Sequence, residues 1–231
     1  MKKIKYLLAL CLTVLCVGAI SANAAVTTTM ADEITLFANL GFDLPEKTNE
    51  TDLVTRAEFV GTITQFLNRD FAPGGVYSFE DVPKDSELSG ALSYAVAMGI
   101  VSDDTLFNPD NNVTYPQAMK MAVAFIGRGA EAEYLGGFDG GGYSAVASTM
   151  KLYAGLQDGN GEFVTLRDFY KIMYNVGQAD MLIRDTYNNL VPGKSPFEEF
   201  FNMYEIKGIL NASDMTGLDD EAYRTPNGMI K

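Results

Sequence analysis

The chain has 231 residues, 47% of them hydrophobic, with 30 acidic against 17 basic side chains and a net charge of −13. An acidic surface of that size argues against nucleic acid and anionic membranes as partners, since both are held largely through Lys and Arg. The absence of His and Trp excludes a Ser-His-Asp relay, an imidazole metal site and a His general base, and removes the strongest sugar-stacking side chain.

Residues 1–24 read as a secretory signal peptide. Lys2, Lys3 and Lys5 precede an apolar run from Leu7 to Ile20, and Ala22-Asn23-Ala24 supplies the small-x-small cleavage pattern. The run is too short for a comfortable membrane span, so no stable span is expected once the leader is removed. Cys11 and Cys16 both lie in it, preceded by Leu10 and Leu15 rather than by the small residue that lipidation requires. The mature chain then has no thiol, disulfide or cysteine ligand, and must rely on an apolar core.

Three apolar helical segments follow, each stopping at a glycine. They run from Ile34 to Gly41, from Ala91 to Gly99 and from Val146 to Gly155. Each glycine suits the left-handed position just past a helix end, and Phe42, Ile100 and Leu156 can fold back on the helix. After each comes a loop, then Thr55, Thr114 or Thr165, then a second amphipathic helix. Phe59, Ile63, Phe66 and Leu67 share one face. So do Met119, Ala122, Val123 and Ile126, and likewise Phe169, Ile172, Met173 and Val176.

The threonines predict helix caps. In a capping box the hydroxyl accepts from the amide three residues on, while an acid or amide there reaches back. Thr55 with Glu58 and Thr114 with Gln117 match fully, and Thr165 with Asp168 is a shorter version. Arg56 is not needed for the cap and is left for a ligand.

The connecting stretches carry turn signals. Pro73-Gly74-Gly75 closes the first. Residues 127–142 hold seven glycines, but no Lys-Ser/Thr follows Gly140-Gly141-Gly142, so they read as a linker and not as a phosphate loop. Asp158-Gly-Asn160-Gly-Glu162 is not an EF-hand, because Phe163 and Phe169 occupy the positions of the required Gly and Glu. At most a loose calcium contact remains, and no metal or cofactor is expected. Phe197, Phe200, Phe201, Tyr204 and Ile206 predict one more helix ending at Gly208, and residues 224–231 read as extended, as if leading into a further domain. The carboxylate pairs Asp103/Asp104, Glu198/Glu199 and Asp219/Asp220 are sequence neighbours that point apart, as solvated acids do, so no glycan-cleaving pair is expected.

These ordered pieces resemble the S-layer homology (SLH) repeat of bacterial surface proteins. Phe79-Glu-Asp81-Val82-Pro83 is similar to the repeat's opening, Ala95-Val-Ala-Met-Gly99-Ile100-Val101 to its helix end, and Phe107-Asn-Pro109 with Val113-Thr114 to its loop and second-helix start. Thr55-Arg56-Ala57-Glu58 resembles its signature tetrapeptide in full. The likeness runs from Ala31 to Val176. It implies a mostly α fold, with three tandem helix-loop-helix repeats in a pseudo-threefold arrangement around a central helical bundle. The expected segments are residues 25–76, 77–130 and 131–178, followed by a C-terminal helix and extended tail over 179–231.

The resemblance further implies a non-catalytic module, secreted to the cell wall or surface. Its partner would be secondary cell wall polysaccharide, or a glycan linked to peptidoglycan, often carrying a pyruvylated sugar. The alternative is a structural module that packs against other surface-layer proteins through grooves that no longer bind glycan. The motif arginine would pair with a ligand carboxylate, and a tryptophan would pack on the sugar. Arg56, Glu58, Asp81 and Arg167 are the candidate glycan contacts. Thr55, Thr114, Gln117, Thr165 and Asp168 are the capping residues. The chain departs from the pattern in places: Ser86-Glu87 stand where the family has His-Trp, and Tyr115 and Leu166 stand where it has arginine. Arg167 comes one place late, rotated by about 100° round the helix.

Overall fold

A computed structural model describes residues 29–67, 70–159 and 161–200. The predicted leader with its two cysteines, and everything after residue 200, lie outside the described residues. The described part is mostly helical and divides into two compact units after Leu44.

The first unit is built on α1 (Met30–Asn39), capped by a reciprocal Thr29/Asp32 box. Leu40 closes the helix and Gly41 follows at φ 81°. The Gly41 amide donates to Ala38 O and the Phe42 amide to Phe37 O, a Schellman stop that lays the Phe42 ring 5.2 Å from that of Phe37.

The second unit holds α2 (Arg56–Gln65), α3 (Glu87–Ala97), α4 (Tyr115–Phe125), α5 (Gly129–Tyr134), α6 (Gly142–Thr149) and α7 (Leu166–Gln178). Three of these begin at a threonine. Thr55 and Thr114 form reciprocal boxes with Glu58 and Gln117. Thr165 accepts from the Asp168 amide, but the Asp168 carboxylate does not return to Thr165. It accepts instead from the Gln157 and Asp158 amides and from the Tyr115 hydroxyl. Two loop amides and a phenol, all waiting at a buried position, offer more than one helix-end amide can.

The residues just before these caps join in a closed ring. The Val113 amide donates to Val54 O, the Val164 amide to Val113 O and the Val54 amide to Val164 O, at 2.9, 2.9 and 3.0 Å. A second set follows in the same register, with Arg56, Tyr115 and Leu166 donating to Asn111, Glu162 and Asp52 carbonyls. A third has two members, Ala57 to Pro109 and Arg167 to Glu50; Pro116 stands at the remaining place and has no amide hydrogen to give. The three valines are fully buried. Three chain segments thus satisfy one another's backbone without a sheet, which buried peptide groups require.

The core is made where these helices meet. Phe59 of α2 lies edge-on to Phe169 of α7 at 6.0 Å, and Phe66 lies 5.9 Å from Phe125 of α4. Phe59, Ile63, Met119, Ala122, Val123, Ile126, Phe169, Ile172, Met173 and Val176 are wholly excluded from solvent. Each buried large side chain contributes about 1.5–3 kcal/mol, enough in sum to hold a core without cross-links.

Four local outcomes differ from the sequence reading. Ser86-Glu87 starts α3, with Ser86 as its N-cap. The third apolar segment stops being helical at Thr149, well before Gly155, because a Schellman turn closes on Lys151 at φ 58°. The glycine-rich stretch contains α5 and lets α6 approach it closely; a Cβ on Gly142 would lie 2.0 Å from Ala132 O. Past α7 comes a small hairpin, β1 (Leu182–Arg184) paired antiparallel with β2 (Leu190–Pro192). Its turn is organised by the Asp185 carboxylate, which accepts from the Tyr187 and Asn189 amides. Its registration on α4 needs Gly127, where a Cβ would meet Leu182 O at 2.0 Å. Helix resumes at residues 196–200 behind a reciprocal Ser195/Glu198 cap; the rest of the predicted last helix lies outside the described residues.

Candidate functional site

Arg56 is the first residue of α2, where the helix dipole opposes a cation. A neutral residue there would be better for the helix by a few tenths of a kcal/mol up to about 1 kcal/mol. The guanidinium is held by its surroundings. Its Nε–H donates to Phe107 O at 2.8 Å, and its carbon stands 4.7 Å above the centroid of the Phe107 ring. Burial lowers its affinity for the proton, while Asp81 and Asp104 act to raise it.

Asp81 completes the clamp from the other side. Its two carboxylate oxygens accept from the Phe107 and Asn108 amides, at 2.9 and 2.6 Å. That pins a turn in which Asn108 takes a left-handed φ of 56°. Burial acts to raise the Asp81 carboxyl; the two amides and Arg56 outweigh it, leaving the group below its ordinary value of 3.8. Phe107 itself is fully buried, with Phe79 5.5 Å away.

A groove of about 700 Å³ opens beside this clamp. Arg56 stands at one side, the 100–112 loop forms a wall, and Gln117, Lys120 and Met121 of α4 form another. Phe138 and Phe163 close the remaining sides. Among its lining residues the charged groups are Arg56, Lys120 and Asp104. Arg56 is balanced by Asp104 and by Asp81 just outside the lining, and Lys120 is the second cation of the groove.

The sequence candidates therefore separate. Arg56 and Asp81 are brought together at the groove, and Gln117 lines it while serving its cap. Glu58 is occupied elsewhere, accepting from the Thr55 amide at 2.7 Å and pairing with Lys47. Arg167 pairs with Glu50 and donates to Gln157 Oε1, tying two loops together. Leu166, at the place matching Arg56, is fully buried. Thr165 donates its hydroxyl to Asp158 Oδ2, so that carboxylate is engaged within the fold.

Lys120, Ser102 and Phe138 are groove residues that pattern reading did not single out. Lys120 left a trace, since it is the only charged side chain in the helix YPQAMKMAVAF. Phe138 left none, because it arrives from the glycine-rich stretch.

Comparison with curated proteins finds no match. No helix among the described residues is long and apolar enough to cross a membrane. Residues 78–119 match the family model for the S-layer homology domain. The matched stretch contains Asp81, the Phe107 turn and Gln117, while Arg56, Lys120 and Phe138 lie outside it. Such domains are non-catalytic modules that hold proteins at the cell surface through wall-associated glycans. The Asp81 clamp and the 100–112 wall of the groove thus fall within the stretch that matches the S-layer homology domain.

Proposed function

We propose that the chain is an exported, non-catalytic anchor that holds to the cell wall by binding secondary cell wall polysaccharide in the groove beside Arg56. In this reading residues 1–24 are the removable leader. Residues 25–76, 77–130 and 131–178 are three SLH-type repeats about a pseudo-threefold axis, and 179–231 is a C-terminal extension. The closed ring of Val54, Val113 and Val164 backbone bonds supports the repeat arrangement, because equal positions of three segments serve one another in cyclic order.

The observation that carries the glycan reading is the groove itself. It joins a guanidinium at an unfavourable helix position, a second cation and exposed aromatic surface in an otherwise acidic protein. A saccharide offers apolar C–H faces for the rings, and an acidic one offers carboxylates for the cations. Screening beyond about 8 Å at physiological salt leaves the local charges in control over the net charge.

Purified protein should co-sediment with native wall sacculi and lose that binding when the secondary polymer is stripped. Arg56→Ala should weaken it by about tenfold, the loss of one charge-assisted contact. Equal retention on native and stripped walls refutes the reading. A second reading, packing against other surface proteins, draws on Tyr115 and Leu166, which fill the matching places at the other two junctions with buried side chains. Lattice or oligomer formation without wall binding would favour it.

A further inference from the structure

We infer that the chain meets its wall ligand at one junction only, so that each molecule makes a single exchangeable contact and firm retention requires copies acting together. This rests on the glycan reading above and adds to it the number of sites and the strength of attachment they give.

The ring of backbone bonds creates three junctions in one register. Two positions recur at each of them: the residue after the capping threonine of one helix, and the residue six places past the cap of the next. At the first junction these are Arg56 of α2 and Lys120 of α4, and both line the groove. At the second they are Tyr115 of α4 and Lys171 of α7. At the third they are Leu166 of α7 and Gly61 of α2. The same backbone plan therefore carries two cations, then one, then none at these places.

Packing closes the second and third junctions as well. Tyr115 is buried and gives its hydroxyl to the wholly buried Asp168, so admitting a ligand there means breaking a buried hydrogen bond and uncovering a ring. Lys171 runs along Gly155, where a Cβ would lie 3.4 Å from its Cδ, and its ammonium stands 5.4 Å over the Tyr174 ring. Leu166 is fully buried, and Arg167 beside it is tied to Glu50 and Gln157. Gly61 has no side chain to offer. Sites carried on one body multiply one another's hold, by roughly a hundredfold or more when both can be engaged at once. A chain with one open junction has no such gain of its own and obtains it only from neighbouring copies.

To test this, sacculi of the producing organism are saturated with the full chain, washed, and offered fluorescently labelled polymer released from the same walls. A chain with one site has spent it on the wall, so capture should stay at the level of bare sacculi. Two copies joined by a flexible linker should capture the label and bind native sacculi about a hundredfold more tightly than one copy. Sedimentation isotherms on native and polymer-stripped sacculi then compare the junctions. Arg56→Ala should weaken binding to native walls by about tenfold, while Lys171→Gln should bind as the parent does. Label captured by the single chain, at a concentration where sedimentation velocity shows a monomer, overturns the inference; so does a Lys171→Gln chain as weak as Arg56→Ala. A linked pair that binds no tighter than one copy overturns the claim about retention. In each of these cases binding to native over stripped walls leaves the glycan reading standing. If the parent does not distinguish native from stripped walls, the glycan reading fails and takes this inference with it. The capture readout uses the parent sequence, so it does not depend on how the variants fold.

Discussion

The junction between α2 and α4 and the junction between α4 and α7 are built on one backbone plan and filled in opposite ways. At each, the residue after a capping threonine donates its amide to a loop carbonyl, and one aspartate pins two successive loop amides. At the first, that residue is Arg56, which lines a groove, and the aspartate is Asp81, half-exposed. At the second, it is Tyr115, 3% exposed, and the aspartate is Asp168, wholly buried and receiving the Tyr115 hydroxyl at 2.7 Å. The backbone frame thus sets where a site can be, and one side-chain position decides whether it is open to a ligand or sealed into the core.

Removing the two aspartates is the strongest way to break this comparison. Asp168→Ala strands the Gln157 and Asp158 amides and a buried phenol together, and should cost about 3 kcal/mol of stability. Asp81→Ala frees one part-buried and one exposed amide and no buried phenol, and should cost about 1 kcal/mol. Urea unfolding midpoints of the two variants measure the difference. Equal losses would mean that burial does not separate the two junctions.

Acid sharpens the same contrast. The Asp81 carboxyl lies below its ordinary 3.8 in the folded chain, although burial works against this, because two amides and Arg56 prefer it ionised. A depressed folded value gives stability that is fully present above the ordinary one and is lost as pH falls through the folded one. Asp81→Asn should therefore flatten the decline in urea midpoint between about pH 5 and pH 2 relative to the parent. Asp185, lowered by the Asn189 and Tyr187 amides of the hairpin turn, contributes the same background to both chains. A variant as acid-sensitive as the parent would remove Asp81 from this role.

How much of this was legible in the sequence follows from the range of each interaction. The Thr55 and Thr114 caps close over three residues, so the pattern contains all of their partners. The Gly41 and Gly99 stops are equally local. Asp168 misleads for the same reason: its spacing from Thr165 fits a cap, while its bonds go to residues 10, 11 and 53 positions away. The likeness of the Phe79–Pro83 stretch to a known repeat marked Asp81 as a glycan contact but did not reveal its bonds to the Phe107 turn, 26 positions away. Phe138 had neither local pattern nor resemblance to mark it. It reaches the groove through a turn whose glycines show freedom of the backbone but not its direction. Lys120 could have been found by asking why an apolar helix keeps one charge.

The smallest effect lies at the ends of α3 and α6, the helices that precede the two contrasted loops. Both close with the same pair of backbone bonds, Gly99 and Ile100 to Val96 and Ala95, and Lys151 and Leu152 to Ser148 and Ala147. The turning residue is glycine in one and lysine in the other, at φ 71° and 58°. A left-handed conformation costs a residue with a Cβ about 1 kcal/mol. No atom lies within 4 Å of a Cβ built on Gly99, so Gly99→Ala tests backbone strain alone and should cost about 1 kcal/mol. Lys151→Gly should return somewhat less, about 0.5 kcal/mol, because glycine also gives the unfolded chain more freedom to lose. Thermal unfolding of the two variants should move in opposite directions. A Lys151→Gly chain that melts lower than its parent would show that the lysine side chain contributes more at this turn than the strain it imposes.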